Sequence, residues 1–244
     1  MGQAIAALCE GKHDIKLIVD PNNPNLSTSA DIQYFETIEA ANFENIDVAI
    51  DFTHPSVIMN NIQTYCEKGV NVVVGTTGWT DQIDNVQAMV EKANIGFLWA
   101  SNFSIGVHLF WQMVERGAQL MNKFDEYDAF GHEYHHNQKA DSPSGTARST
   151  AEILINKLDR KTTLVTEELN RTIKPQELHF SSTRGGNIPG THSVFFDSSN
   201  DTIEIKHTAR NRSGFASGSI RCAEWLKGKT GFFTIENYLK DLTQ

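Results

Sequence analysis

Between Ile15 and Met121 the chain alternates four short apolar runs with three helical patterns of ten or more residues, and few folds accept that order. The runs are IKLIVD from Ile15, VAIDF from Val48, VNVVVGTTG from Val70 and IGFLWASNFS from Ile95. The helical patterns are SVIMNNIQTYCEKG, DQIDNVQAMVEKAN and SIGVHLFWQMVERGAQLM. Strands that alternate with helices of this length predict βαβ units around a parallel sheet. Each run ends in a polar or glycine tip: Asp20, Asp51 to Thr53, Gly75 to Gly78, and Ala100 to Phe103. On a parallel sheet such tips share the carboxyl edge, where ligands of open α/β sheets bind. Four tips in series favour a dinucleotide, and an acidic Asp20 suits a ribose hydroxyl. A short helix is expected from Met1 to a glycine C-cap at Gly11, and the PNNPN run after Asp20 breaks structure.

After Asn122 the pattern changes. FDEYDAFGHEYHH, LVTEELNR, LHFSSTRGG, THSVFFDSS and DTIEIKHTAR read as strands with few intervening helices, an α+β segment with a mostly antiparallel sheet. SGSIRCAEWLKGKTGFFTIENYL then reads as a helix with an amphipathic face that returns to the first domain. The expected organisation is a dinucleotide-binding domain of residues 1–106 and 215–244, interrupted by a substrate-binding and oligomerisation domain of residues 107–214. A net charge of −9 argues against nucleic acid or an anionic membrane as partner, so an anionic substrate needs a local positive site. Three widely spaced cysteines without a CxxC support neither a disulfide framework nor a zinc knuckle, and point to the reducing cytoplasm. No apolar run approaches the ~18 residues of a membrane span. MGQAIAALCEGK has neither the basic start of a signal peptide nor the myristoylation pattern.

The densest chemistry lies in His135 to Thr146, HHNQKADSPSGT. Pro143 fixes a turn and Ser144 is a good N-cap for GTARSTAEILINKL. The free N–H groups of Gly145, Thr146 and Ala147 then face whatever precedes the helix, a ready carboxylate or phosphate site. Lys139 and the two histidines arrive from the preceding loop, giving a cationic, proton-donating pocket for a small acidic molecule. His132 to His136 also spells HExxH, but that zinc-peptidase motif needs one helix carrying both histidines. Gly131, Asn137 and the strand-like FDEYDAF oppose a helix there, and Lys139 and Ser142 break the longer pattern. Trp79, Trp99 and Trp225 are expected in cores.

With these residues in place, the chain resembles the bacterial dihydrodipicolinate reductase family, whose signature is E-x-H-H-x-x-K-x-D-x-P-S-G-T-A. Glu133, His135, His136, Lys139, Asp141, Pro143, Ser144, Gly145, Thr146 and Ala147 match it. AIDFTHP, VVVGTTGW, ASNFSIGV, RGGNIPGTH and RNRSGFASGSIRCAEWL extend the resemblance over nearly the whole chain. It implies a Rossmann-like domain and hydride transfer from NADH or NADPH to hydroxy-tetrahydrodipicolinate, with loss of water. His135 is then the catalytic histidine and His136 a substrate contact, while Gly145 and Thr146 take a substrate carboxylate. Lys139, a flexible ammonium, can bind an anion or deliver a proton, and either it or His135 serves as donor. Gly75, Thr76 and Thr77 approach the nicotinamide and its ribose, and Ala100, Ser101, Asn102 and Phe103 hold the carboxamide end. Arg212 matches an arginine near the interdomain hinge. Asp20 would repel a 2′-phosphate, so NADH is expected to serve at least as well as NADPH. The resemblance also implies a homotetramer built through the strands of the substrate domain.

One departure stands out. The family opens with a strand and a glycine-rich GxxGxMG turn, and this chain begins at the MG of that turn, so Gly2 alone remains of the fingerprint. An empty central strand position would expose unpaired backbone groups. The expectation is a start placed about a dozen residues too late, given roughly 5–6 residues per strand. The alternative is a cofactor-impaired or silent relative that still binds a dicarboxylate. Another two-domain nicotinamide dehydrogenase, such as an aspartate dehydrogenase, would share the fold but not the HHxxKxDxPSGTA run.

Overall fold

A computed structural model describes residues 1–22 and 32–243. The chain opens with helix α1 (Gly2–Cys9), then strands β1 (Leu17–Val19), β2 (Gln33–Phe35) and β3 (Val48–Asp51). Helix α2 (Pro55–Lys68), strand β4 (Asn71–Val74), helix α3 (Ile83–Ala93) and strand β5 (Gly96–Trp99) follow. Helix α4 (Ile105–Met121), strand β6 (Asp128–His135), helix α5 (Gly145–Lys157) and strands β7 (Thr163–Val165), β8 (Glu177–Arg184), β9 (Thr191–Asp197) and β10 (Thr202–Thr208) come next. The last elements are α6 (Ser213–Leu226), β11 (Gly231–Thr234) and α7 (Ile235–Thr243). Two compact units result: Met1–Ser104 with Ser213–Gln244, and Ile105–Arg212.

In the first unit, β3, β4, β5 and β11 form a parallel sheet in the order β11-β5-β4-β3. Its helices start and stop on local signals. His54 caps α2 by accepting the Ser56 N–H, Pro55 takes the first turn, and Gly69 ends the helix at φ 67°. Asn94 ends α3 in the left-handed region at φ 54°. The interior residues Val72, Val74 and Phe97 are sealed by Ile58, Ile62, Val86 and Val90 from α2 and α3. Strands β1 and β2 pair with each other in parallel as a separate two-stranded sheet, so the parallel strands are divided between two ladders. Leu17 to Val19 and Val48 to Ile50 stay half-buried, although their composition is that of fully covered strands. The PNNPN run extends beyond the described residues.

Three expectations need correction. The helix from Met1 ends at Cys9 rather than at a glycine cap, with Glu10 extended and Gly11 following at φ 71°. The C-terminal run is helix, strand, helix: Gly228 and Gly231 at φ 76° and 116° end α6 and open β11, where Phe232 stacks on Phe97 at 5.1 Å. LVTEELNR contributes only Leu164 and Val165 to a strand, β7. The three-residue β2 went unread because so short a run carries no period.

In the second unit the five-stranded sheet runs β10-β9-β6-β8-β7. It is mixed rather than mostly antiparallel: β10-β9 and β9-β6 are antiparallel, β6-β8 and β8-β7 parallel. The chain returns from β6 through α5, and a helical crossover lays the next strands parallel. Helices α4 and α5 cover one face, where Phe110, Val114, Leu154, Phe180, Val194 and Phe196 form the core. Gly131 is required there, because a Cβ would lie 2.3 Å from the Phe180 ring.

Candidate active site

Strand β6 sets the geometry. Its alternation turns Ala129, Gly131, Glu133 and His135 toward the helices and leaves Phe130 and Tyr134 on the opposite face. The HExxH string is therefore strand, with His132 and Glu133 on opposite faces. Glu133 is fully buried. Its Oε1 accepts the Ser144 N–H at 2.9 Å, the Ser182 hydroxyl at 2.8 Å and an Arg184 Nη2 donor at 2.8 Å. Its Oε2 lies 3.0 Å from His135 Nδ1 and 3.4 Å from His192 Nε2. Burial would raise its pKa, but the His135 and His192 rings facing it, with the Ser144 and Arg184 donors, together outweigh that and hold Glu133 well below the carboxylate range. Burial also lowers His192, against the opposing pull of Glu133, so His192 favours its neutral form.

Two segments close around this carboxylate. The loop after β6 is cross-bonded to Arg184–Gly190: His136 N–H donates to Ile188 O at 2.8 Å, and Gly185 N–H to His135 O at 2.9 Å. Arg184 Nη2 also reaches Asp141 O at 2.6 Å. Gly190 is needed for close approach, since a Cβ there would sit 2.9 Å from His135 Nε2. At the far end of the loop, after a cis Ser142–Pro143 bond, Ser144 caps α5 with its hydroxyl on Ala147 N–H at 3.2 Å. That bond uses one of the three N–H groups expected to be free, so Gly145 and Thr146 carry the unpaired ones. Gly145 is exposed and Thr146 half-buried. Lys139 pairs with Asp141 at 2.8 Å, and that hydrogen bond lowers the Asp141 pKa. His136 is half-buried at the start of the loop.

Donor atoms of Glu133, His135 and His192 lie within 4.8 Å of one another, a spacing a metal ion could use. The Arg184 guanidinium already sits 2.8 Å from the same carboxylate, so the cluster has its counter-charge and reads as a hydrogen-bonded anchor.

In the first unit, the ends of β3, β4 and β5 lie side by side. The Gly75 and Ala100 N–H groups extend the ladder to Asp51 O and Val74 O. The Phe52 ring packs on Gly75, where a Cβ would be 2.1 Å from Cε1, and meets Phe103 edge-on at 5.7 Å. Thr76 O accepts both the Trp79 and Trp99 indole N–H groups, at 2.8 and 3.0 Å, and Thr76 Oγ1 donates to Thr53 O. Buried Asp51 fixes the first turn by accepting from Thr53, Asn61 and Tyr65. Gly218 lets α6 lie against the Phe103 carbonyl, which a Cβ would meet at 1.7 Å. Thr77 and Ser101 are exposed, Ala100 and Phe103 buried, and Asn102 accepts the Ser104 N–H. The structure thus brings Gly75, Thr76 and Thr77 together with Ala100 to Phe103. It does not join Asp20 to them in one sheet, because Asp20 follows β1 in the separate ladder, and exposed Gly2 heads α1. Arg212 is exposed at the last position of the second unit.

Family models described as dihydrodipicolinate reductase, N-terminus and C-terminus, match residues 1–103 and 106–239. The chain belongs to the dihydrodipicolinate reductase family. It is 38% identical over 243 residues to the 4-hydroxy-tetrahydrodipicolinate reductase of Christiangramia forsetii, covering 99% of this chain and 95% of that one. The enzyme of the same name from Archaeoglobus fulgidus is 39% identical over 199 residues, 80% of this chain and 76% of that one. Among solved structures, the dipicolinate-bound dihydrodipicolinate reductase from Paenisporosarcina sp. TG-14 superposes with a TM-score of 0.78 at 23% identity. That match covers 97% of this chain and 94% of that one, a likeness of fold.

Sequence reading matched Glu133, Arg184 and His192 to motifs but assigned the three no shared role. The available signal was alternation, which sends a carboxylate and a histidine of β6 to the same inner face. Gly190 and Gly218 also lie in matched motifs without an assigned role, and they act by lacking a side chain.

Proposed function

We propose that this chain reduces 4-hydroxy-tetrahydrodipicolinate to tetrahydrodipicolinate with NADH or NADPH, in lysine and diaminopimelate synthesis. The observation that carries the reading is the closure of the HHNQKADSPSGT loop on Glu133, which sets His135, His136, Lys139 and the two unpaired N–H groups of α5 around one loop. Gly145 and Thr146 take a substrate carboxylate by N–H bonds, as a helix start does. His136 contacts substrate. His135 and Lys139 are the catalytic pair that supplies the proton, and Asp141 holds the ammonium until a substrate anion competes for it.

The nicotinamide, when bound, supplies the hydride. The first unit suits its nicotinamide end: Gly75 keeps the turn close to the Phe52 ring, and exposed Thr77 and Ser101 offer hydroxyls beside it. Gly75, Thr76, Thr77, Ala100, Ser101, Asn102 and Phe103 hold that end, Gly2 lies toward the pyrophosphate, and Asp20 accepts from the adenosine ribose. Arg212 completes the set. In this reading residues 1–106 and 215–244 bind the dinucleotide, while residues 107–214 bind substrate and assemble the homotetramer. The compartment is the cytoplasm; among the described residues no helix is long and apolar enough to cross a membrane.

The test is NADH oxidation with freshly generated substrate, run beside calorimetric titration with pyridine-2,6-dicarboxylate. Turnover abolished by Lys139→Ala is the expected result. Binding of the dicarboxylate without NADH oxidation would replace the reductase by a silent binding relative.

A further inference from the structure

Glu133 is a fully buried charge of the second unit. Two of its contacts come from opposite ends of the loop that carries Lys139. His135, before the loop, lies 3.0 Å from Oε2, and the Ser144 N–H, after it, is 2.9 Å from Oε1. Arg184 bridges the same carboxylate to the Asp141 carbonyl inside the loop. One side chain therefore sets the imidazole, the loop and the start of α5 together.

His135 is gripped from two sides. Nδ1 faces the carboxylate, and Nε2 faces Gly190, where a Cβ would lie 2.9 Å away. A buried anion beside Nδ1 favours the proton on that nitrogen, and leaves Nε2 as the end that exchanges a proton with a ligand. We infer that Glu133 is a positioning residue: its charge fixes the tautomer of His135 with the proton on Nδ1 and locks the loop bearing Lys139. The inference rests on the reductase reading for its kinetic consequence, but not for its structural one. Glu133 touches no reacting atom. Arg184 is its counter-charge and orients it, and neutral His192 brings no second positive charge to compete with His135.

Glu133→Gln keeps the shape and removes the charge. It also places an amide N–H₂ among groups that are themselves donors, so one of them loses its acceptor. The expected result is a kcat lowered at least about tenfold, in the range of lost acid-base assistance, with KM for NADH within about twofold of the parent. Imidazole nitrogen NMR on ¹⁵N-histidine-labelled protein, with His135→Asn used to assign the signal, reads the tautomer without any turnover. The parent is expected to carry the His135 proton on Nδ1, and Glu133→Gln to lose that preference. A parent with the proton on Nε2 alone overturns the inference even if Glu133→Gln fails to fold, and so does a folded Glu133→Gln with unchanged kcat and tautomer. If the parent is inactive but shows the Nδ1 proton, the reductase reading fails while the positioning role stands.

Discussion

Asp20 follows β1 with its Oδ1 accepting the Asn22 N–H at 2.9 Å, so its carboxylate is fixed to the turn. A carboxylate held at a strand end accepts ribose hydroxyls well and meets a 2′-phosphate with like-charge repulsion. The chain is therefore expected to show kcat/KM for NADH at least equal to that for NADPH. Asp20→Ala should move the ratio toward NADPH by about tenfold, the size of one such contact near a protein surface. A parent that strongly prefers NADPH would sink the assignment of Asp20. At this scale the sequence was most informative where chemistry is local. Ser144 as N-cap, Gly145 and Thr146 as a helix start, and the tryptophans Trp79 and Trp99 in packing roles all follow from near neighbours. Arg184 was beyond reach for the opposite reason: it meets Glu133 across 51 positions, and only the pairing of β6 with β8 brings the two together.

Among the elements, the inner face of the second unit's sheet carries an unusual polar row. The strand register sets His207 of β10 opposite His192 of β9, and His192 opposite Glu133 of β6. Burial lowers the pKa of both histidines from 6.5, with the neighbouring histidine contributing to His207. An unfolded chain binds protons at these histidines below about pH 6.5 that the folded sheet refuses, so stability falls as pH drops through and below that value. Glu133 adds a second limb. Its folded pKa is depressed below 4.5, so its stabilisation is present above about 4.5 and is lost as pH falls beneath it. The melting temperature should stay level between about pH 8 and 7, decline toward 5, and drop more steeply below about 4.5. His207→Phe, placed beside Phe110, should make the upper limb shallower, with His192 supplying what remains, and leave the lower one. A parent whose melting temperature does not change between pH 8 and 5 contradicts this account. The elements themselves were legible to different degrees. Helices with caps at both ends, such as α2, follow from the sequence, whereas β2 and β11 depend on partners elsewhere in the chain. The parallel pairing of β6 with β8 arises from the crossover through α5, which periodicity does not encode.

At the scale of the whole molecule, helices α4 and α5 cover one face of the five-stranded sheet, and the other face shows what it was made for. Phe130 stacks on Phe195 with ring centroids 4.9 Å apart and planes 13° apart, and Phe130 and Tyr134 each remain 38% exposed. His132 meets Tyr134 edge-on, and burial lowers its pKa. Ser193, Glu204 and Lys206 border the aromatic patch. A sheet face meant for water is usually polar along its outward row, and adjoining exposed aromatics on strands mark a surface to be covered. Closed assemblies of identical chains use such a patch against its own copy, because a two-fold axis sets each residue beside its own equivalent region. The homotetramer proposed above is expected to use this face, with Phe130, Phe195 and Tyr134 as apolar anchors and the Glu204–Lys206 pair at the margin. Phe130→Glu with Tyr134→Glu should shift sedimentation from tetramer to smaller species. Far-ultraviolet circular dichroism should be unchanged, since neither side chain belongs to the core beneath α4 and α5. A parent that sediments as a monomer at micromolar concentration removes the tetramer from the reading. A double variant that remains tetrameric moves the interface to another surface.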